Sequence, residues 1–252
     1  MALPERPLMR ILLPPSESKR PNPRRGRPVD LAALPYPELE PVRAEVRQAL
    51  DTLTRTADPT RALGVPPGVL DQALANLDLL AAPARPAIEV YDGVLYEALD
   101  WATLSPRAKR RARDQLLIQS SVWGLVGPQH RITGYRINAC AAMPSERKVE
   151  TAWRDVLPGV LAGLIADGPI VDCRSGTYTT MGRVRPAHPV RVFQVVDGVR
   201  RTVSHHAKHT RGLVARWLLE ADRTPRTPGQ VVAEIGRHAD CTLVGDTIEV
   251  VA

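Results

Sequence analysis

The chain has 252 residues, 44% of them hydrophobic, with one Phe, five Tyr and four Trp, a composition that gives one large or two small globular units an aliphatic core and excludes a disordered chain. A net charge of +7 favours a polyanionic or phosphorylated partner over a cationic one, although nearly all of it is arginine, the only lysines being Lys19, Lys109, Lys148 and Lys208. The separated cysteines Cys140, Cys173 and Cys241 contain no CxxC pair, which excludes a zinc ribbon and a secreted disulfide scaffold and fits a reducing cytoplasm.

Residues 1–8 read as an irregular extension and 9–252 as one domain, with no signal peptide and no run near the roughly 20 apolar residues of a membrane helix; a cytoplasmic protein away from membranes is expected. "RILLPP" is a short buried strand stopped by two prolines, and "SESKRPNPRRGRP" is a long basic loop, too rich in Pro and Gly for a helix. Pro41 opens a helix with Val42, Val46, Ala49, Leu50 and Leu53 on one face, and a second helix carries Val69, Leu70, Ala73, Leu74, Leu77 and Leu80 in the same way. "SPRAKRRARDQ" starts a helix with Ser105 as N-cap, Pro106 at the first position and a basic exposed face. "LLIQSSVWGLVGP", ending in a Gly-bounded turn, and the alternating "HRITGYRIN" read as a pair in the central sheet.

Downstream, "VETAWRDVLPGVLAGLIADG" is a helix bent or interrupted at Pro158, and "PIVDCRSGTY" is a strand running into a polar loop. "VRVFQVVDGVRRTVSH" is a hairpin about Asp197-Gly198, a pair suited to positive φ. A helix from about Ala207 repeats apolar residues at Leu213, Val214, Trp217 and Leu218; "TPGQVVAEIGRHA" is a short helix capped by Thr227, and "CTLVGDTIEVV" is a terminal hairpin. Strands and helices interleave without regular βαβ spacing, so an α+β fold is expected, a single compact domain with a mixed sheet flanked by helices.

"SHHAKHTRG", Ser204–Gly212, gathers three of the six histidines. His205 and His209 have the i,i+4 spacing of zinc ligands, but His206 stands where a metalloprotease needs Glu and no third ligand is near, so no metal site is expected. Ser204 or Cys173 as a nucleophile would need a base, yet side chains adjacent in a strand, as Ser204 and His205 are, point apart and no G-x-S-x-G elbow exists. The third reading makes Lys208 and Arg211, three apart in the first helical turns, ligands of an anion at the helix N-terminus, where cations cost up to about 1 kcal/mol each unless an anion offsets them.

Five segments in order, "ILLPPSESK", "VYDGVLYEAL", "QSSVWGLVGPQHRITGYRI", "IVDCRSGTY" and "SHHAKHTRGLVARWLL", resemble the YaaA family of bacterial peroxide-stress proteins over nearly the whole chain. The last fits the family pattern Ser-x-x-Ala-Lys-x-x-Arg-Gly through Ser204, Ala207, Lys208, Arg211 and Gly212; Gly93, Tyr96, Ser120, Gly124, Pro128, Tyr135, Arg136, Ser175 and Tyr178 match elsewhere. His205, His206 and His209 do not match. The front motif departs as well, placing Lys19 two positions later than the lysine of members that read Ser-Pro-Ala-Lys-Thr.

The resemblance implies one mixed domain with a basic cleft, DNA binding with a helix-hairpin-helix-like element, and protection against hydrogen peroxide through lowered free iron. Lys19, Arg24, Arg25, Arg136, Ser204, Lys208 and Arg211 are the candidate anion or nucleic-acid ligands, mainly of phosphates and without sequence preference. Tyr96, Trp123, Tyr135 and Tyr178 are candidates to stack on unpaired bases or to pack. The competing class is an enzyme acting on a phosphorylated or carboxylated small molecule in the same cleft, with Lys208 reactive, Arg211 the anion anchor, Asp172 or Tyr178 a proton carrier and Ser120 a further candidate. No cofactor is expected in either case.

Overall fold

The computed structural model describes residues 9–165, 168–196, 199–202 and 204–251, without the side chains of Val196, Val199, Thr202, Ser204 and His205. The expected irregular extension at 1–8 and the Asp197-Gly198 turn lie outside the described residues.

The strands are β1 (Arg10–Leu13), β2 (Arg85–Pro86), β3 (Leu116–Ser120), β4 (Gly124–Val126), β5 (Arg131–Ile132), β6 (Ile170–Asp172), β7 (His188–Val196), β8 (Val199–Thr202), β9 (Asp240–Val244) and β10 (Thr247–Val251). The helices are α1 (Glu40–Thr54), α2 (Pro59–Leu63), α3 (Leu70–Leu74), α4 (Ala87–Val90), α5 (Val94–Leu99), α6 (Pro106–Gln115), α7 (Val149–Arg154), α8 (Leu157–Gly163), α9 (Gly176–Met181), α10 (Ser204–Glu220) and α11 (Pro228–Ile235). Eight strands form one mixed sheet flanked by helices, in the order β4-β3-β1-β6-β7-β10-β9 with β8 beside β7. The expected fold class is therefore the one observed.

The apolar run of β1 follows from its position. Ile11 pairs in parallel with Leu116 on one side and Val171 on the other, and Ile11, Leu12 and Leu13 are wholly buried, as a strand covered on both faces requires. From β1 the chain reaches β3 and β4 on one side, then β6, β7 and β10 on the other. This reversal of direction beside β1 is where open sheets of this kind leave a crevice at the carboxyl ends of their strands.

Two local expectations are corrected. "LLIQSSVWGLV" forms a hairpin by itself, β3 against β4, whereas "HRITGYRIN" stays out of the central sheet: only Arg131–Ile132 pair, with β2. Beyond Ile132, the Gly134 and Arg136 amides donate to Asn22 Oδ1 at 2.9 Å and Asn76 Oδ1 at 2.8 Å, so side chains occupy the groups a strand ladder would use. The expected helix through 69–80 is three short pieces, and it buries Ala73 and Asn76 while Leu70, Leu74, Leu77 and Leu80 stay exposed. Asn76 sets this rotation because its amide also donates to Arg136 O and Thr54 Oγ1.

The basic face of α6 is exposed as expected at Arg107, Arg110 and Arg113, and two of its arginines also serve the fold. Arg111 donates to the carbonyls of Leu219 and Ala221 at 2.7 Å, and Arg107 to that of Glu220 at 3.0 Å; these cations satisfy the carboxyl end of α10, where the helix dipole favours them. Ser105 caps α6 as expected, accepting from the Ala108 amide, and Glu220 accepts from Ser105 in turn.

Candidate functional site

Three adjacent parallel strands, β3, β1 and β6, end together, and the segments that leave them meet. The loop after β1 is docked by its backbone: Lys19 forms an antiparallel bridge with Tyr91, the Arg20 amide donates to Val90 O, and the Asp92 amide donates to Ser16 Oγ at 3.1 Å. Tyr96 donates to Pro14 O at 2.7 Å. Gly93, with φ of 92°, allows the turn between Tyr91 and α5.

Lys19 is drawn inward by this docking. Its Nζ donates to Ser16 O at 2.6 Å and Glu17 O at 3.2 Å, and lies 4.5 Å from the centroid of the Tyr135 ring and 5.8 Å from that of Tyr91. Tyr91 in turn stacks on Tyr96 with centroids 5.4 Å apart. Loss of water lowers the Lys19 amine from its ordinary 10.5 to about 7; Arg136 adds repulsion, and Glu17 and Asp92 oppose the shift. Burial also raises the hydroxyls of Tyr91, Tyr96, Tyr135 and Tyr178, keeping them protonated.

Ser120 and Ser121, at the end of β3, anchor the far side. Ser120 Oγ accepts from the amides of Val122 and Trp123, closing the turn into β4, and donates to Tyr135 Oη at 2.8 Å. The Ser121 amide also donates to Tyr135 Oη, at 3.2 Å, and Ser121 Oγ is 2.8 Å from Tyr178 Oη. Tyr178 stands on α9, a helix where the sequence suggested a polar loop. Tyr135 Oη lies 3.4 Å from Tyr91 Oη, which completes a chain of hydroxyls across the strand ends.

The structure thus brings Lys19, Ser120, Tyr135 and Tyr178 together, with Tyr91, Ser121 and Asp92, which the sequence reading missed. The signal for those was present in "VYDG", an aromatic and an acid at a glycine turn, and in the doubled serine of "QSSVW". Asp92 Oδ1 is buried without a hydrogen-bond partner among the described residues.

Other candidates are placed elsewhere. Asp172 is buried in a two-toothed ion pair with Arg174, at 2.7 and 2.8 Å, and Arg174 also reaches Gln119; this carboxylate holds the end of β6. Arg136, by contrast, borders the site, close enough to repel the Lys19 amine, and donates to the Gln72 side chain and to Glu17 O. Trp123, wholly buried with Nε1 on Thr133 O at 3.1 Å, and Tyr96 and Tyr135, both buried, present no face to a base. The glycines of "WGLVGP" are likewise in the buried β4 hairpin and in a turn whose Gly127 amide donates to His130.

The helix α10 begins at Ser204, three residues before the expected start, which moves Lys208 and Arg211 into its second and third turns and away from its free amides. Lys208 is exposed, while Arg211 donates to Val190 O of β7 at 3.1 Å. The side chains of Ser204 and His205 lie outside the described residues. Among those described, no group of three or more His, Cys, Asp or Glu is disposed to hold a metal, and no helix is long and apolar enough to cross a membrane.

The chain is 39% identical over 240 residues to a UPF0246 protein of Corynebacterium efficiens, covering 93% of this chain and 94% of the relative. It is 36% identical over 230 residues to one of Streptomyces coelicolor, covering 89% and 88%, and 34% identical over 230 residues to one of Corynebacterium glutamicum, covering 89% and 91%. The profile of the family described as "Peroxide stress protein YaaA" matches residues 9–231. This chain belongs to the YaaA peroxide-stress protein family.

Proposed function

We propose that the protein serves in peroxide stress by binding DNA through a positively charged surface and helping to limit iron-dependent oxidative damage. Family membership supports the peroxide role. The observation that carries the DNA part is how the arginines are distributed between internal and external duty. Arg43, Arg111, Arg147, Arg174 and Arg216 are tied to backbone carbonyls or carboxylates of the fold. Arg20, Arg24, Arg25 and Arg27, on the loop after β1, are exposed and have no ion pair or side-chain hydrogen bond among the described residues.

Four unneutralised guanidinium groups within eight residues repel one another, and a polyphosphate relieves that repulsion while releasing its own counterions. Binding of this kind is salt-dependent and indifferent to sequence. No iron held by the chain is needed for the role, because protection would act at the DNA.

The test is survival of hydrogen peroxide by a strain lacking the gene, complemented with wild type or with R24E/R25E/R27E at equal expression. Wild type restores survival and reduces DNA lesions, and the variant does neither. Equal rescue by the variant would overturn the proposal.

A second reading, an enzyme acting on a small anionic molecule, is favoured by one separate observation: the amine buried among tyrosines at the strand ends.

A further inference from the structure

The chain has four lysines among 34 cationic side chains, so a lysine in this protein stands where arginine is otherwise the rule. Lys148 and Lys208 are exposed, and Lys109 lies on α6 with its Nζ on Ala102 O. Lys19 differs from all three in sitting at the carboxyl ends of β1, β3 and β6, over the face of Tyr135 and beside Tyr91. A guanidinium cannot be deprotonated there, whereas an amine can.

We propose that Lys19 is a reactive amine that condenses with the carbonyl group of a small 2-oxo acid, approached from the outer side of the loop, where Lys19 and Arg136 are half-buried, with Asp92 beside them.

The geometry supports each part. A neutral amine has two N–H bonds and one lone pair; with both N–H groups on the carbonyls of Ser16 and Glu17, the lone pair is left for an electrophile. The charged groups around it are Arg136, Glu17 and Asp92, and desolvation together with Arg136 outweighs the two carboxylates, so that near pH 7 about half of the amine is neutral. Arg136 uses three of its five N–H bonds on Gln72 and Glu17, so two remain for a substrate carboxylate. Asp92 Oδ1, buried and without a hydrogen-bond partner among the described residues, can accept from a hydroxyl formed on the substrate.

In the step itself the Nζ lone pair forms a bond to the carbonyl carbon, the carbonyl π pair moves to oxygen, and that oxygen takes a proton from solvent while nitrogen loses one. The nitrogen lone pair of the carbinolamine then forms the C=N π bond as the C–O bond breaks, and the hydroxyl leaves as water with a solvent proton while nitrogen gives its remaining proton to solvent, so that an imine is left between Nζ and carbon. No oxidant or metal enters the balance. The chemistry uses none of the loop arginines assigned to DNA, so either proposal can fail without the other.

The test uses the full-length protein with glyoxylate, and with propanal as the uncharged comparison, each trapped by cyanoborohydride across about pH 6 to 9, spanning the ordinary and lowered amine ranges. Peptide mapping then compares the four lysines within the same wild-type molecules, so no variant has to fold. At pH 7 Lys19 is modified at least about tenfold faster than Lys109, Lys148 or Lys208, and its rate levels off as the pH passes above about 7, where its amine is fully neutral. Glyoxylate reacts faster than propanal at Lys19 alone, and R136Q removes that preference. Even labelling of the four lysines would overturn the proposal and leave Lys19 as an ammonium clip for the loop. Equal rates for glyoxylate and propanal would overturn its assignment to an oxo acid.

Discussion

Gly212 of α10 faces Leu95 of α5 so closely that a Cβ on the glycine would lie 2.1 Å from the Leu95 carbonyl oxygen and 2.8 Å from Ala98 Cβ. The helices therefore cross with backbone against side-chain-free backbone. Because α5 also carries Tyr96, whose hydroxyl reaches Pro14 O, this crossing sets the position of the loop that holds Lys19. The terminal glycine of the "SHHAKHTRG" stretch thus acts on the site through packing.

Gly212→Ala is expected to lower stability by upwards of about 3 kcal/mol, since the obstructing atom is backbone and the helices must part. Gly229→Ala on α11, where an added Cβ meets nothing within 4 Å, is expected to be neutral or to stabilise by up to about 1 kcal/mol. Urea unfolding of the two variants checks both.

Asp172→Asn is expected to cost about 3–5 kcal/mol, because it leaves the guanidinium of Arg174 buried beside a neutral amide. Replacement of Asp172 and Arg174 together by apolar residues of similar volume should recover part of that loss. Chemical denaturation of the single and double variants measures it, and an unaltered stability for Asp172→Asn would show that the pair is not formed.

Tyr135→Phe removes the acceptor of both Ser120 Oγ and the Ser121 amide. The loss of one buried backbone partner and one hydroxyl partner is expected to cost about 1–3 kcal/mol, with little change in the β3–β4 turn, which Ser120 holds through other contacts. Hydrogen exchange at the Ser121 amide should accelerate while that at Trp123 does not.

The Lys19 amine also gives a pH signature. Its folded-state value is near 7 and its ordinary value 10.5, so between these limits the unfolded chain binds more protons than the folded one. Stability contributed by this group therefore rises with pH from about 7 to about 10 and is flat below pH 7. Lys19→Met should lack that rise. Denaturation curves of the two proteins over this range decide it, and parallel pH profiles would contradict the lowered amine.

Much of the frame was legible before the structure was. "RILLPP" specifies a doubly covered strand by its uninterrupted apolar run, and Ser105, Pro158 and Thr227 mark helix boundaries through capping chemistry that acts within a few residues. The failures share a cause in long-range hydrogen bonding. The alternation of "HRITGYRIN" is that of a strand, but Asn22 and Asn76, over 50 residues away along the chain, take its amides. In the same way nothing in the sequence near Arg111, on the otherwise exposed basic face of α6, signals the carboxyl end of α10 whose carbonyls it takes.

The site shows the same division. Lys19, Ser120, Tyr135 and Tyr178 were identifiable as polar groups at segment ends, but the sequence assigned reactivity to Lys208, whose side chain is exposed on α10. What distinguishes the two lysines is desolvation, and that depends on Tyr91 and Tyr135 closing over Lys19 from segments some 70 to 115 residues distant.

The central claim is that the protein binds DNA through the basic loop after β1. Fluorescence anisotropy of labelled duplex, single-stranded and junction DNA, titrated with wild type and with folded R24E/R25E/R27E over a salt series, tests it most directly. Micromolar or tighter binding is predicted, with an affinity that falls steeply as salt rises and a shallower salt slope, by about 0.9 per lost duplex phosphate contact, in the variant. Binding that ignores salt, or a variant that binds with unchanged affinity and slope, would contradict it.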